Sequence, residues 1–587
     1  MARLSPLHRV AFLALLWGAL VTPAFADPVE IEVSGVEGDA RANVEQALAL
    51  PTGLVTEGKV DRLWLDRFAV QAREKATDAV KPFGYYRAEA SSSVEPRGGG
   101  EYLLKVHVEL KSPVTVSEVS VLLDGAGAGQ EALKRMVREF PLRKGGVLLQ
   151  PQYENAKSRL RSRALDLGYL DADFSRHEIR ISPDLTSARI NLVFNTGAQY
   201  FFDDATIEGA PQYPDPFLRR YLSFHRGEVF SYAKLGETQL NFTNAERFQQ
   251  VLVTPEKEKA KDFHVPVVVQ LTPAPRVTIR PGFGFGTDTG IRFSVGYRDL
   301  DLFRAGHDLN AKLYLSESLQ GVAVQYLIPS PRDIRTNTTF QLNLQREDVT
   351  AYMSRLIALE AARNRSLGRG TLGTAYLRLQ QENFTVGSQN SGSRLVLPGL
   401  RYTQERFDSM TRPTNGFRYS LEARGTHPFL GSDTGLVQGI VQGLTIIPLP
   451  WRLGLRVRGM AAGSLLSEPL SEVPPSLRFF AGGDQSVRGY SYKSLGPRDD
   501  TGQVVGGRNL LVGSLEIERA LFKNWGVSLF FDAGNAFNDP GYIRLKEGAG
   551  IGAHYYSPVG AINLAVARRV NDEQRAYYIH VSVGFEL

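Results

Sequence analysis

The residue whose surroundings most suggest chemistry is Arg488, which lies in a glycine-rich polar loop near the C-terminal end of the chain. The loop covers residues 481–490 and reads Ala-Gly-Gly-Asp-Gln-Ser-Val-Arg-Gly-Tyr. Such an arginine is ordinarily solvated, but the flanking segments alternate like the strands of a membrane barrel. If the loop folds into the lumen of a barrel, the guanidinium needs an acceptor there. A carboxylate suits it best, because the two groups can form parallel charge-assisted hydrogen bonds.

A carboxylate of the required kind occurs downstream, in the strand predicted over residues 525–534. One parity of this strand holds apolar residues, namely Val527, Leu529 and Phe531, and the other holds Ser528, Phe530, Asp532 and Gly534. The apolar parity should face lipid, which places Asp532 in the lumen. There it is the candidate partner of Arg488, and Phe530 is placed to stack on the guanidinium.

The elements that must position these residues are strands. From about residue 275 two-residue alternation replaces helical periodicity and continues over the last 313 residues. At ~10 residues per strand plus a turn, this length predicts about 16 strands. A soluble β-domain would show the same alternation. The length of the pattern and the N-terminal targeting signal favour a transmembrane barrel over residues 275–587, closed by a final strand over 577–587.

The targeting signal is a predicted signal peptide at residues 1–26. A basic start precedes the apolar run Val10–Val21, and Ala24-Phe25-Ala26 fits a small-x-small cleavage site. The run is too short to span a bilayer comfortably, although an N-terminal membrane anchor is the alternative interpretation. We therefore expect a protein that is exported across a membrane.

Composition excludes several function classes. The chain has no cysteine, so thiolate metal sites are excluded, and its 9 histidines show no metal-ligand spacing. The formal net charge is +6 without a basic block, which does not indicate nucleic-acid binding. The glycine runs at 282–286 and 548–552 fit no phosphate-binding loop. We expect no enzyme activity, no cofactor and no metal.

The N-terminal half repeats at domain length. Three short strands each lead to a glycine, at positions 35, 125 and 209, and helical patterns and alternating strands follow. This order predicts three small α+β units, over 27–112, 113–198 and 199–274, with helices on one sheet face. The glycine-aromatic steps Gly84-Tyr85 and Gly168-Tyr169 indicate helix ends. The third unit departs from this pattern, with Arg247-Phe248 in the corresponding place. An exposed strand edge is the expected binding surface of these units.

The loop motif, paired with Phe-x-Asp-x-Gly at 530–534, resembles the signature of the superfamily of outer-membrane insertases and secretion pores. Its members carry periplasmic POTRA domains ahead of a 16-stranded antiparallel barrel. Three POTRA-like units, the Arg-Gly-Tyr form of the loop and the terminal Gly-Phe-Glu-Leu are most similar to the TamA family within it. The resemblance assigns the lumen loop to Val487, Arg488, Gly489 and Tyr490, and the strand that it contacts to Phe530, Asp532 and Gly534. Leu587 departs from the aromatic terminus of many such barrels, so recognition of the last strand would rest on Phe585.

The resemblance also implies partners and a location. It implies a barrel in the bacterial outer membrane that inserts or secretes client outer-membrane proteins, such as autotransporters. It further implies a TamB-like inner-membrane protein that binds the periplasmic POTRA domains. The alternatives are a passive or selective porin and a two-partner secretion transporter for one dedicated exoprotein.

The mechanism suggested by the sequence is a seam between the first and last strands that opens sideways. The predicted first strand, 280–286, contains three glycines and a proline that cannot donate a ladder hydrogen bond. A poorly paired edge can template a client strand. The alternative is that the glycines only allow close packing or a tight bend. The candidate seam residues are Gly282, Gly284, Gly286, Tyr577, Ile579, Val581, Val583 and Phe585.

Overall fold

The computed structural model describes residues 28–56, 59–409, 412–522, 524–557, 560–571 and 577–584. The predicted signal peptide and Phe585 lie outside these ranges. Among the described helices, none combines the length and the apolar character that a membrane span requires. The chain divides into two compact units, which are taken in turn.

The first unit comprises, of the described residues, 28–56, 59–204, 225–234 and 256–266. Its first sheet has the strand order β1–β5–β4, with β1 parallel and β4 antiparallel to the central strand. Alternate residues of the central strand pack against the helices, which explains the one-sided apolar pattern. The elements are β1 (Val29–Ser34), α1 (Gly38–Ala47), β2 (Val55–Thr56), β3 (Lys59–Val60), α2 (Arg62–Val80), β4 (Glu89–Gly98) and β5 (Glu101–Glu109).

The second sheet of this unit repeats the plan, in the order β6–β8–β7. Its elements are β6 (Thr115–Asp124), α3 (Glu131–Arg138), α4 (Gln150–Asp166), β7 (Asp173–Ile181) and β8 (Ser187–Asn195). The helix predicted from Gln150 is α4. Both predicted stop glycines have left-handed backbone, with φ of 93° at Gly84 and 85° at Gly168. Their helix-ending role thus has a direct conformational cause.

The second unit comprises residues 205–224, 235–255 and, of the described residues, those from 267 onward. The third sheet has the order β10–β11–β9, and β10 pairs antiparallel with Val267–Pro273. The elements of this part of the chain are β9 (Phe201–Glu208), α5 (Asp215–Arg219), α6 (Tyr232–Thr243), β10 (Phe248–Pro255) and β11 (His264–Pro273).

A closed antiparallel barrel of sixteen strands forms the rest of the second unit, so the predicted fold class is confirmed. The strands are β12 (Val277–Gly286), β13 (Gly290–Leu302), β14 (His307–Ser316), β15 (Leu319–Pro329), β16 (Thr336–Val349), β17 (Tyr352–Gly368), β18 (Thr371–Val386), β19 (Gln389–Phe407), β20 (Gly416–Thr426), β21 (Leu436–Leu449), β22 (Leu453–Leu466), β23 (Asn509–Ala520), β24 (Trp525–Phe537), β25 (Lys546–Ser557), β26 (Gly560–Arg569) and β27 (Tyr577–Gly584). In β24 the lumen-side Asp532 is fully buried, whereas the lipid-side Leu529 is 64% exposed.

A buried arginine joins the third sheet to the first strands of the barrel. Arg247 precedes β10 and forms an ion pair with Asp308 of β14. Its Nη2 also donates to the carbonyl oxygen of Gly306 at 2.9 Å, and its Nη1 donates to that of Leu300. The Phe217 ring lies 5.3 Å from the guanidinium. The position at which the third unit departs from the glycine-aromatic pattern is therefore its anchor on the barrel.

Candidate functional site: the lumen loop and the seam

The loop between β22 and β23 covers residues 467–508 and folds back against the inner wall of the barrel. Its apolar side chains form a buried cluster with lumen-facing residues of β23 and β24. The cluster consists of Phe479, Ala481, Val487, Tyr490, Leu495, Leu510, Val512 and Ala536. A polar contact also holds the loop, since the Ser476 hydroxyl donates a hydrogen bond to the Glu382 carboxylate of β18. The loop is held as a part of the barrel interior.

Arg488 and Asp532 meet in a bidentate pair. Arg488 Nε lies 2.7 Å from Asp532 Oδ2, and Nη2 lies 3.0 Å from Oδ1. The backbone N–H of Arg488 donates to the same carboxylate at 3.0 Å. The Phe530 ring centroid lies 3.4 Å from the guanidinium carbon, at stacking distance. The structure therefore brings together the three residues on which the sequence argument rested.

A second carboxylate completes the arginine site, and the sequence argument did not select it. Arg488 Nη1 donates to Glu516 Oε2 at 2.9 Å, and the Ser514 hydroxyl donates to Asp532 Oδ1 at 2.6 Å. Both residues have the lumen parity of β23, which the alternation already indicated. What the sequence lacks is the register, which sets Glu516 opposite Phe530 and Ser514 opposite Asp532. One arginine thus pairs with two buried carboxylates.

The other motif residues hold the loop backbone. Val487 and Tyr490 are buried in the apolar cluster. The carbonyl oxygen of Gly489 accepts from Arg569 Nε of β26 at 3.0 Å. Gly534 lies where β24 crowds β23, since a Cβ there would stand 2.8 Å from the Leu511 carbonyl oxygen.

The absence of a side chain at Gly548 of β25 lets the loop approach. A Cβ at this position would lie 1.9 Å from the carbonyl oxygen of Arg488. We expect Gly548→Ala to displace the loop backbone and to cost about 1–3 kcal/mol of barrel stability, as overpacking does. The thermal unfolding of the purified barrel measures this loss. Gly513→Ala is the control, because nothing lies within 4 Å of its added Cβ; equal stability of the two variants would contradict the close approach.

The seam joins β12 and β27 in a ladder whose described part ends before residues 585–587. That part consists of Phe285 opposite Val583 and Gly286 opposite Ser582. In contrast, β12 pairs with β13 over ten residues, from Val277 to Gly286. The described ladders between the other neighbouring strands of the barrel extend over eight or more residues.

The predicted seam residues fall into two groups in this arrangement. Gly284, Gly286 and Val583 lie at or beside the described seam pairs, and a Cβ at Gly284 would stand 2.4 Å from the Val583 carbonyl oxygen. The Val581 carbonyl oxygen accepts from the N–H of Thr287 at 3.1 Å. The second group consists of Gly282, Tyr577 and Ile579, whose partners among the described residues lie in β13 or β26. The expectation that the first strand closes against residues 577–587 stays a prediction, because residues 585–587 lie outside the described ranges.

Family models match three parts of the chain. An Omp85 superfamily domain matches residues 278–586. The model for POTRA domain TamA domain 1 matches residues 30–110, and a surface antigen variable number repeat of POTRA type matches residues 125–196. A curated relative is the outer membrane protein assembly factor BamA of Nitratidesulfovibrio vulgaris, which is 23% identical over an alignment of 422 residues. The alignment covers 68% of this chain and 52% of the relative, so the chain spans about half of the relative's length.

Two solved structures are similar in fold. BamA from Haemophilus ducreyi, lacking POTRA domains 1–3, superposes with a TM-score of 0.65 at 17% identity, covering 80% of this chain and 99% of that one. CdiB from Escherichia coli gives a TM-score of 0.51 at 14% identity, with coverage of 94% and 99%. At these identities the likeness concerns the fold alone. Because the superfamily model covers more than half of the chain, the protein belongs to the Omp85 superfamily, as an outer-membrane β-barrel with POTRA domains on its periplasmic side.

Proposed function

We propose that this protein inserts or translocates client proteins at the outer membrane by opening the seam between β12 and β27, without catalytic chemistry. The observation that carries the proposal is the pairing of the first strand with the last, to which β12 brings Gly284 and Gly286 together with the nearby Pro281, which has no N–H to donate. Ladder hydrogen bonds hold barrel strands together, and glycine and proline weaken a ladder, so the barrel opens first at this pair of strands. The freed edge of β12 presents backbone groups to which an incoming strand can pair.

We further propose that its role is of the TamA type. Its clients are then β-barrel proteins such as autotransporters, and its POTRA domains bind a TamB-like inner-membrane protein. Three features support this assignment: the three POTRA-like units, the Arg-Gly-Tyr form of the loop, and the match of residues 30–110 to a POTRA domain of TamA type. A passive porin is disfavoured, because the loop occupies the inner wall where a wide pore would run.

A disulfide across the seam tests the proposal. Phe285 and Val583 are directly opposed, and the Cβ atoms of such pairs lie about 4.5–5.5 Å apart, close to disulfide range. The chain has no cysteine of its own, so Phe285→Cys/Val583→Cys forms a single defined bond. We expect oxidation to abolish the insertion of a client autotransporter and a reductant to restore it. The measurement is the amount of folded client in the membrane.

The matched control places the same first cysteine in an ordinary hairpin. Phe285 also stands opposite Ile291 of β13, so Phe285→Cys/Ile291→Cys carries an equivalent disulfide away from the seam. This variant should insert clients whether oxidised or reduced. Undiminished insertion by the oxidised seam variant would overturn the proposal.

A further inference from the structure

We propose that Asp288, Asp484 and His580 form a latch that ties the lumen loop to both edges of the seam and sets how often the seam opens. The inference rests on the proposed function, since it concerns the opening of the same seam. It adds a control element that lies apart from Arg488 and its two carboxylates. The three side chains have ligating atoms within 4.8 Å of one another, although they come from the first turn, the loop and the last strand.

The first edge is held through the turn that follows β12. Asp288 lies in this turn, at residues 287–289, and its Oδ2 accepts the backbone N–H of Asp484 at 2.8 Å. The turn directly follows Phe285 and Gly286, the two β12 residues that pair across the seam. A loop that holds Asp288 therefore holds the paired end of β12.

The second edge is held through a buried histidine of β27. His580 Nε2 accepts the backbone N–H of Gly489 at 2.9 Å, so this nitrogen carries no proton. Its Nδ1 contacts Oδ1 of the Asp484 carboxylate. The His580 side chain is only 5% exposed. Asp484 thus contacts both edges, with its backbone towards β12 and its side chain towards β27.

The latch lies where it can change how easily the seam opens. The loop is fixed to β23 and β24 by Arg488, so the latch connects the two seam edges to a rigid part of the wall. The latch adds two hydrogen bonds and the contact between His580 and Asp484 to the described seam pairs Phe285–Val583 and Gly286–Ser582. Removing one hydrogen bond of ordinary net strength changes an equilibrium by a factor of about five. The open fraction of the seam should respond by that factor.

Two variants of Asp288 distinguish the effect of its charge from the effect of its hydrogen bond. Burial and the nearby Asp484 carboxylate raise the pKa of Asp288 to about 6. At neutral pH the latch therefore contains two neighbouring carboxylates that repel one another. Asp288→Asn removes the repulsion and keeps an oxygen acceptor for the N–H of Asp484, whereas Asp288→Ala removes the acceptor. The alanine variant should loosen the seam and the asparagine variant should not.

Hydrogen–deuterium exchange of the full-length protein in lipid nanodiscs tests the latch. The reporters are the seam amides, including the N–H of Thr287 that bonds to Val581. We expect Asp484→Ala and Asp288→Ala to speed their exchange about five-fold. Asp288→Asn should exchange no faster than the unaltered protein, nor should Asp500→Ala, which replaces an exposed acid of the same loop.

Two outcomes would overturn the latch. One is unchanged seam exchange in both alanine variants. The other is exchange in β23 and β24 that is faster by the same factor as at the seam. That result would mean that Asp288, Asp484 and His580 stabilise the barrel as a whole. The exchange readout involves no client. Client insertion by the oxidised Phe285→Cys/Val583→Cys variant would therefore refute the proposed function while leaving the latch to be judged on exchange alone.

Discussion

Replacing Arg488 with alanine is expected to be the most damaging single change in the barrel. The substitution removes the guanidinium from the carboxylates of Asp532 and Glu516, whose side chains are 0% and 7% exposed, and leaves Glu516 only its ion-pair contact with His554 among the described residues. Removing one partner from a buried ion pair costs about 3–5 kcal/mol, because the remaining charge stays desolvated. The loss of the stacked contact with Phe530 adds to this. Thermal unfolding of the folded barrel, followed by its gel mobility, measures the effect.

A variant that also removes the two carboxylate charges distinguishes a purely structural role of Arg488 from a role in client insertion. Arg488→Ala/Asp532→Asn/Glu516→Gln removes the stranded charges, so much of the lost stability should return. If the loop acts in client insertion, insertion stays low in this variant although the barrel is stable. Recovery of insertion together with stability would identify the arginine site as a structural brace alone. The control is Arg498→Ala, on the same loop, whose exposed side chain donates to the nearby Gly502 carbonyl; it should change neither quantity.

Replacing Arg247 with alanine should release the third POTRA-like unit from the barrel. The Arg247 side chain is 4% exposed and Asp308 is 11% exposed, so the lost ion pair is a buried one and costs about 3–5 kcal/mol. The carbonyl groups of Leu300 and Gly306 lose their donor as well. The expected result is faster protease cleavage between β11 and β12, with the barrel itself still folded. Band patterns after limited proteolysis measure this.

The matched control for this anchor is Arg298→Ala. Arg298 pairs at 2.8 Å with Glu246, the residue that precedes Arg247 in the chain. The Glu246 side chain, however, is 66% exposed. Such pairs contribute about 0–1 kcal/mol, so cleavage should stay close to that of the unaltered protein. Equal cleavage of the Arg247 and Arg298 variants would show that the buried anchor does not hold the unit.

The parity of side chains is the part of this molecule that the sequence predicts best. Lipid and lumen impose opposite chemistry on neighbouring residues, so the alternation around Asp532 identified its side of the sheet without any knowledge of partners. The sixteen-stranded barrel followed from the same alternation and its length. Parity, however, carries no information about register, and Glu516 was missed for that reason.

Contacts made by loops and edges could not be predicted in this way. The latch combines Asp288, Asp484 and His580, and nothing local in the sequence relates the three. The extent of the seam ladder depends on strand tilt and stagger, which closing the barrel sets as a whole. Arg247 shows a related limit, because the sequence marks it only as the position where the third unit departs from the glycine-aromatic pattern. Its role as an anchor follows from its ion pair with Asp308, which lies in a barrel strand outside the repeat.

The anchors of the lumen loop also dictate an order of events during folding. Asp484 bonds to a residue 196 positions upstream, and Gly489 bonds to one 91 positions downstream. Closing such long chain segments is entropically costly and is rewarded only when both ends are in place. The loop therefore reaches its final position only after the first hairpin and the last strand have met. A docked loop is consequently a marker of a completed barrel, and protection of residues 484–490 from proteases should be among the last changes seen as the chain folds.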